Sequence, residues 1–338
     1  MRCMSTAAGE DRPMTHATPF DAVVLIGFGG PTSPEEIRPF LDRVLEGRPV
    51  PRARYEDVVR HYERIGGRSP FNELTQRQAD ALAGVLRIEG VEIPVRVGLR
   101  HAAPFIEETL RDLAAEGARH LLGIVLAAHE SEASWERYVE SAEEARRRIG
   151  AGAPTMTYAH PSFDHPLLVR AHAQRVREAH ERMRRDTFAG MTLIFTAHSI
   201  PQAMADRGPY VRELVGTAAL VAEAVGAPDW HLAYQSRSGS PSERWLEPDV
   251  CQVLRRLPSG SGRREAVVAP IGFVCDHVEV LYDLDVEAAE VAATAGVRME
   301  RARALNDHPD FVAVLAELVT GRPKDAGGAH DSMESLSR

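Results

Sequence analysis

Cysteine is scarce in this chain of 338 residues. The three cysteines, Cys3, Cys251 and Cys275, are far apart in the sequence and form no C-x-x-C pair. An ordinary iron–sulfur cluster needs about four thiolates, which one copy of this chain cannot supply. Sparse, unpaired cysteine is typical of proteins from a reducing compartment. We therefore expect a cytoplasmic protein that has no iron–sulfur cluster and no tightly bound cofactor.

Long apolar runs and an excess of basic residues are also missing. No window approaches the roughly 18 uninterrupted apolar residues of a membrane-spanning helix, and residues 1–19 lack the apolar core of a signal peptide. The net charge of −9 and the isoelectric point near 5.9 argue against nucleic acid as a partner. We interpret residues 1–19 as a disordered leader or a mis-assigned start, and the polar residues 321–338 as a disordered tail.

Several common catalytic motifs are absent as well. The glycine-rich loop at Gly27–Pro31 departs from G-x-G-x-x-G at Thr32, so the chain carries no dinucleotide fingerprint. The sequence also lacks the G-x-S-x-G of a serine hydrolase and the H-E-x-x-H of a zinc protease. A tightly held structural zinc ion is not expected either, because no paired cysteine site exists.

Short apolar strands that alternate with helical segments are what the chain does contain. The runs at Ala22–Ile26 and Thr192–Thr196 are β-branched and continuous, which is typical of buried parallel strands. Each run leads into a small-residue loop that ends in proline, as a comparison of VVLIGFGGP with LIFTAHSIP makes clear. This weak similarity predicts an α/β protein of two like-folded lobes with a cleft between them.

The domain boundaries follow from the same pattern. We predict an N-terminal domain over residues 20–160 and a C-terminal domain over residues 161–320. The last helix, near Asp310–Leu318, belongs to the second domain by sequence position, and its packing back on the first domain is an open alternative.

Candidate functional residues lie in the loops that follow strands, because open α/β sheets bind ligands at the carboxyl ends of their strands. Four such loops are at Gly27–Pro31, His129–Ser131, His198–Pro201 and Phe273–Glu279. The candidates in them are His129, His198, Asp276, His277 and Glu279.

A row of carboxylates follows the last of these loops. Glu279, Asp283 and Glu287 recur at i, i+4 and i+8 of a helix that is predicted to begin near Asp276. Such a row is either a solvated acidic face or a site that handles protons or a cation. A histidine beside these carboxylates in a cleft would suit transient binding of a divalent metal and removal of protons.

Two stretches of the chain resemble a known family. The sequence AHSIP at 197–201 and the sequence PIGFVCDHVEVLYD at 270–283 are similar to the two signatures of the ferrochelatases. Supporting stretches are GFGGP at 27–31, IGGRSP at 65–70, GLRH at 98–101, PFIE at 104–107, YQSRSG at 234–239 and WLEPD at 245–249. The resemblance runs from about Phe20 to Thr320. It is closest to actinobacterial and Gram-positive bacterial enzymes, many of which act on coproporphyrin III.

The resemblance implies a fold and a reaction. It implies two Rossmann-like lobes with parallel, four-stranded sheets, a porphyrin cleft, and insertion of Fe²⁺ into the macrocycle with release of two protons, in haem biosynthesis. His198 and Glu279 match the two catalytic positions that face the bound ring. The metal-handling positions would be His198, Glu279, Asp283 and Glu287. The partners would be a porphyrin and ferrous iron, with transient contact to neighbouring haem-pathway enzymes as a further possibility.

The resemblance also implies a set of porphyrin-binding residues. Phe28, Ile200 and Trp245 would form apolar walls against the ring, and His129 would lie in the same cleft. The positions that match propionate donors at the cleft mouth are Arg48, His61, Tyr62 and Ser69.

Some residues depart from the family pattern. Phe28 stands where several relatives have a tyrosine, and Phe163 likewise replaces a hydroxyl-bearing aromatic residue. Leu45 and His61 stand where some relatives have arginine. These departures leave both coproporphyrin III and protoporphyrin IX open as substrates, with coproporphyrin III favoured. Glu130 and Glu132, in an unusually acidic loop, either add to metal handling or are surface charges.

Two alternatives to this enzyme remain. The first is a catalytically silent carrier of haem or another tetrapyrrole on the same fold, and the second is a chelatase for another metal. The pair His198 and Glu279 favours the enzyme, because a carrier has no need of a proton acceptor.

Overall fold

A computed structural model describes residues 18–47, 50–185, 187–239, 242–257 and 264–322. Most of the predicted leader, most of the predicted tail, Cys3 and the candidate propionate donor Arg48 lie outside the described residues. Within the described part of the chain, no helix is long and apolar enough to cross a membrane.

The first lobe is built on one parallel sheet. Its strands are β1 (Ala22–Gly27), β2 (Val95–Leu99), β3 (His120–Val125) and β4 (Thr155–Ala159), in the spatial order β2-β1-β3-β4. The helices around it are α1 (Ile37–Val44), α2 (Arg52–Arg64), α3 (Phe71–Ile88), α4 (Ile106–Ala115) and α5 (Arg137–Ile149). All six residues of β1 are buried, as the continuous apolar run predicts for a central strand covered on both faces.

The second lobe repeats this plan. Its strands are β5 (Thr192–His198), β6 (Trp230–Gln235), β7 (Arg264–Ala269) and β8 (Val297–Arg301), all parallel, in the order β6-β5-β7-β8. Its helices are α6 (Pro166–Arg182), α7 (Gln202–Ala205), α8 (Tyr210–Val225), α9 (Val250–Arg256), α10 (Val278–Tyr282), α11 (Ala289–Thr294) and α12 (Pro309–Thr320). The two sheets share one strand order, so the prediction of two like-folded α/β lobes is confirmed.

The last helix follows β8 of the second lobe in the sequence but also contacts the first lobe. Helix α12 packs against α6 and against α3 of the first lobe. Its buried residues, Phe311 and Leu315 among them, join the same apolar core as Leu82 and Leu86 of α3. The chain end therefore ties the second lobe to the core of the first.

Helix boundaries depart from the sequence prediction where the backbone leaves α geometry. A π-helical turn over Glu132–Glu136 precedes α5, which begins only at Arg137. A second π-helical turn, over Asp283–Ala288, separates α10 from α11. The wider i→i+5 bonding of a π turn leaves no trace in an apolar periodicity, so a pattern of i, i+3 and i+4 residues cannot indicate it.

Candidate active site

Three neighbouring strands deliver the central residues of the site. Strand β5 lies between β6 and β7, and parallel strands end at the same edge of a sheet. His198 is the last residue of β5, Gln235 is the last residue of β6, and the loop that leads to Glu279 follows β7. The sheet order thus brings together residues that are far apart in the sequence.

His198 is held in one orientation by its own backbone. Its Nδ1–H donates to the carbonyl of Ser199, and the hydroxyl of Tyr210 donates to the carbonyl of His198 at 3.1 Å. A carbonyl can only accept, so the proton is on Nδ1 and the free edge of the ring is Nε2. Nε2 lies 3.5 Å from Oε1 of Glu279.

Glu279 lies in the first turn of α10. The Nδ1 atom of His277 caps this helix by accepting from the Glu279 N–H at 3.1 Å. The side-chain amide of Gln235 donates to the Glu279 carbonyl. Both ends of the residue are thereby fixed, and its carboxylate is directed at His198.

The pair shares one proton as an ion pair. Burial acts to lower the pKa of His198, but the charge and hydrogen bond of Glu279 outweigh it and the pKa is raised. Burial acts to raise the pKa of Glu279, but His198 outweighs it and the pKa is lowered. Both shifts have the same cause, the pairing of the two side chains, which favours the imidazolium and the carboxylate over their neutral forms.

Asp283 is a different kind of carboxylate. It is buried, and the hydroxyl of Ser236 donates to its Oδ2. Burial raises the pKa of Asp283 to about 8, with further contributions from the charges of Glu279 and Glu287, while the Ser236 hydrogen bond opposes the shift. Ser236 has a φ of 62°, in the left-handed region that is uncommon for residues other than glycine. Asp283 can therefore hold or release a proton close to neutral pH.

The prediction of one continuous α-helical ridge of three acids is wrong. Glu279 is in α10, whereas Asp283 opens the π turn and Glu287 lies near its end. The three side chains also differ in exposure: Glu279 is partly buried, Asp283 is buried and Glu287 is exposed. Within the described ranges, no three His, Cys, Asp or Glu side chains are grouped so as to hold a metal ion.

The apolar candidates lie on both lobes. Phe28 follows β1 and is half-buried, with the ring of His101 at 4.7 Å and the guanidinium of Arg100 at 5.8 Å from its ring centre. Ile200 is buried, and its carbonyl accepts from the Leu246 N–H, directly after Trp245. Trp245 is partly exposed and packs so closely on Gly239 that a Cβ added there would lie 2.1 Å from its ring. Phe28 thus belongs to the first lobe, whereas Ile200 and Trp245 belong to the second.

His61 and Tyr62 bring α2 against the acid-bearing segment. The ring of His61 stacks on Tyr282 of the second lobe at 3.7 Å between ring centres, with 11° between the planes. Burial, together with the charge of Arg54, lowers the pKa of His61 to about 4. Burial and then the charge of Glu279 raise the pKa of the buried Tyr62, so its phenol lies within electrostatic reach of that carboxylate.

Two of the candidate ligands are buried in the interior. Ser69 is 5% exposed, and its hydroxyl accepts from the Phe71 N–H at 3.3 Å near the start of α3. His129 is 3% exposed, and its Nε2 lies 2.8 Å from the hydroxyl of Thr217. Because Thr217 donates its own proton to the Phe163 carbonyl, His129 must donate to Thr217.

The acidic loop after β3 is engaged in ion pairs and caps. The backbone N–H of Glu130 donates to the Glu213 carboxylate at 2.8 Å. Glu132 pairs with Arg207 at 3.0 Å and lies 4.0 Å from Arg137. These pairs account for the charge of Glu132 without a metal ion.

Sequence reasoning missed three residues that shape the site. Tyr210 supports His198, Gln235 holds Glu279, and Ser236 contacts Asp283. Gln235 and Ser236 stand at the carboxyl end of β6, so the rule that ligands bind past strand ends could have found them. Tyr210 carries no such signal, since it begins a helix.

Comparison of the fold with solved structures identifies a class. The sirohydrochlorin chelatase of Bacillus subtilis subspecies spizizenii, solved with cobalt, matches with a TM-score of 0.52 at 14% identity and covers 88% of this chain and 93% of its own. A multi-domain protein of Deinococcus radiodurans with structural similarity to chelatases matches with a TM-score of 0.56 at 16% identity, over 94% of this chain and 59% of its own. The fold is therefore the two-lobed α/β fold of the chelatases.

Sequence comparison narrows the class to a family. The ferrochelatase family profile matches residues 20–322. A ferrochelatase of Rhodopirellula baltica is 39% identical over 309 residues, which cover 91% of this chain and 88% of that protein. A coproporphyrin III ferrochelatase of Mycolicibacterium paratuberculosis is 41% identical over 303 residues, which cover 89% of this chain and 87% of that protein. The chain belongs to the ferrochelatase family.

Proposed function

We propose that this protein inserts Fe²⁺ into a porphyrin, with coproporphyrin III as the favoured substrate, in haem biosynthesis. The observation that carries the proposal is the 3.5 Å contact between His198, at the end of β5, and Glu279, in the first turn of α10, in a chain of the ferrochelatase family. Relatives such as that of Nocardia farcinica, 41% identical, are named coproporphyrin III ferrochelatases. That name favours coproporphyrin III over protoporphyrin IX for this chain.

Proton transfer is the step that the central residues suit. Each Fe²⁺ that enters the ring displaces two pyrrole protons, which must leave the site. In the proposed mechanism His198 first passes its proton to Glu279, and the neutral Nε2 then accepts a proton from a pyrrole nitrogen. Asp283 has a pKa of about 8 and is largely protonated at neutral pH, so it first releases its own proton toward the solvent and then takes one from the pair. Repeating this exchange would carry both displaced protons out of the site.

We propose that the carboxylates of Glu279, Asp283 and Glu287 also pass Fe²⁺ to the ring. Fe²⁺ must be held briefly and then released to the ring, so a few oxygen ligands suit turnover better than a closed cage. In our proposal Fe²⁺ first binds to Glu287, which is exposed to solvent. It then passes to Asp283 and finally to Glu279, beside His198. The exposure of Glu287 and the burial of Asp283 support this direction.

The proposed substrate contacts use both lobes. Phe28, Ile200 and Trp245 would press on the faces of the macrocycle, and His61 and Tyr62 would lie beside its carboxylate groups. Tyr62 is within reach of Glu279, which supports a position near the ring. Ser69, His129 and Arg48 remain in the proposed set on family resemblance alone.

We further propose a cytoplasmic enzyme without a tightly bound cofactor. The sparse cysteines support this setting, and Cys251 and Cys275 are both buried and unpaired. Burial raises the pKa of each thiol to about 12, which disfavours the thiolate that a cluster would need. Iron–sulfur absorbance in the purified protein would contradict this part of the proposal.

The experiment that tests the function is an anaerobic Fe²⁺ insertion assay with coproporphyrin III and protoporphyrin IX side by side. We expect turnover on both or on coproporphyrin III alone, with the higher kcat/KM for coproporphyrin III. Turnover on neither porphyrin, combined with tight binding of finished haem, would identify a carrier instead.

A further inference from the structure

Arg301, at the end of β8, joins two parts of the acid-bearing segment. Its side chain is only 12% exposed. Its Nε and Nη2 donate to the two carboxylate oxygens of Asp285 at 2.6 and 2.8 Å. Its Nη1 donates to Oδ1 of Asp276 at 2.9 Å. One guanidinium therefore binds a residue before α10 and a residue inside the π turn.

Asp276 is itself anchored on both oxygens. Oδ1 also accepts from the Ala304 N–H at 3.3 Å, and Oδ2 accepts from the side-chain amide of Asn306 at 2.8 Å. The Asp276 N–H donates to Oδ1 of Asn306 at 2.9 Å, and the Asn306 carbonyl accepts from Gln78 of α3 at 2.7 Å. This network includes Gln78 of the first lobe, so it holds Asp276 in place. The bond to Asp276 in turn holds the guanidinium of Arg301 in place.

The bond to Asp285 depends on the helical register. A π turn is a rare geometry that holds one residue more than an α-helical turn. If the segment from Asp283 to Ala288 closed with α-helical bonds, the residues beyond it would rotate by about 100° relative to α10. Asp285 would then leave the guanidinium, and Asp283 and Glu287 would face other directions relative to Glu279.

We propose that Arg301 is a positioning residue that selects the π-helical register and thereby directs Asp283 and Glu287 along the path to Glu279. The inference rests on the proposed function for its kinetic consequence, though the register itself does not depend on that function. Arg301 contacts neither His198 nor Glu279, so it acts only through the carboxylates that it holds.

The test compares Asp285→Asn, Arg301→Lys and the control Arg298→Gln. Asp285→Asn keeps the shape of the side chain and weakens only the contact in the π turn. Lysine at 301 keeps the charge but cannot bind one carboxylate through two donors while it binds the other. Arg298 lies on the same strand, and it pairs with Glu265 at 3.7 Å and donates to the Met183 carbonyl at 2.9 Å, away from the acid row.

We expect Asp285→Asn and Arg301→Lys to raise the KM for Fe²⁺ by about tenfold and to lower kcat, with the KM for coproporphyrin III unchanged. Arg298→Gln should lower thermal stability without moving the KM for Fe²⁺. A wild-type KM for Fe²⁺ in Asp285→Asn would overturn the proposal. So would a loss of kcat that follows thermal stability equally in all three variants.

Amide hydrogen exchange separates this inference from the proposed function. Exchange across residues 278–294 should be faster in Asp285→Asn than in the wild type and unchanged in Arg298→Gln. Unchanged exchange in Asp285→Asn would contradict the proposal that Arg301 selects the π-helical register. Failure of the wild type to insert iron would refute the proposed function. The exchange measurement would still test whether Arg301 selects the π-helical register.

Discussion

At the scale of single residues, the pairing of His198 with Glu279 sets the protonation of the candidate site. The Ser199 carbonyl fixes the ring of His198, and Glu279 raises its pKa against the effect of burial. Asp283 lacks a cationic partner of this kind, and its pKa moves upward. Two carboxylates four positions apart thus differ in charge because their surroundings differ.

Substitutions in the acid row should have graded effects. His198→Ala is expected to lower kcat by about 100-fold or more, because it removes the group that accepts the first pyrrole proton. Asp283→Ala or Glu287→Ala should lower kcat by about tenfold or less, since neither residue touches the ring in the proposed mechanism. Initial rates of anaerobic Fe²⁺ insertion measure all three. Wild-type rates in His198→Ala would refute the role assigned to His198.

At the scale of elements, close packing of one loop on one strand positions the pair. Gly272, in the loop between β7 and α10, donates its N–H to the Thr196 carbonyl at 3.0 Å. A Cβ added to Gly272 would lie 2.5 Å from the Cβ and 2.7 Å from the Cα of Ala197. The loop that carries Glu279 therefore rests directly on the strand that carries His198.

Gly272→Ala should separate these two elements. We expect it to lower the free energy of unfolding by about 1–3 kcal/mol, because the added methyl group meets backbone that cannot move aside cheaply. Turnover should also fall, since the 3.5 Å contact between His198 and Glu279 lengthens.

Gly84→Ala is the matched control. Gly84 is inside α3 and has open space around the position of a Cβ. Alanine there should raise the free energy of unfolding by about 0.5–1 kcal/mol and leave turnover unchanged. Urea unfolding and the insertion assay measure both variants, and equal effects at the two positions would contradict the packing argument.

At the scale of the whole molecule, the buried His172 interacts electrostatically with two other buried histidines, His129 and His308. His129 follows β3, His172 is in α6 and His308 precedes α12. Burial lowers the pKa of His129 and of His172 to about 3, with a smaller contribution from neighbouring histidines. The unfolded chain has ordinary histidines of pKa near 6.5. Between about pH 6.5 and 3 the unfolded chain therefore binds more protons than the folded one.

Acid should accordingly destabilise the protein through these residues. Their contribution to stability is fully present above pH 6.5 and is lost as the pH falls toward 3. We expect His172→Asn to reduce the dependence of the unfolding free energy on pH by about 1.4 kcal/mol per pH unit between pH 6 and 4.5. Urea unfolding at several pH values measures the slope. The exposed His231 offers the control His231→Asn, and an equal change of slope there would contradict this account.

The local sequence was enough to predict the alternation of strands and helices. It was also enough to predict that the site forms at the edge of the sheet where the strands end. Continuous apolar runs such as Ala22–Ile26 can be buried on both faces only in a covered parallel sheet, so the α/β plan and the polar strand ends followed from hydrophobic pattern alone. The family motifs singled out His198 and Glu279 for the same edge.

Three features depended instead on contacts between distant parts of the chain. The π turn exists where Arg301 of β8 binds Asp285, and no local periodicity contains that contact. The pKa values of His198 and Asp283 depend on which groups surround them after burial, and a sequence pattern does not report those groups. The packing of α12 on α3 likewise depends on which apolar face remained uncovered in the other lobe. Sequence pattern reports how each residue is buried along its own element, whereas pKa values, helical register and lobe contacts depend on the neighbours that folding brings in from elsewhere.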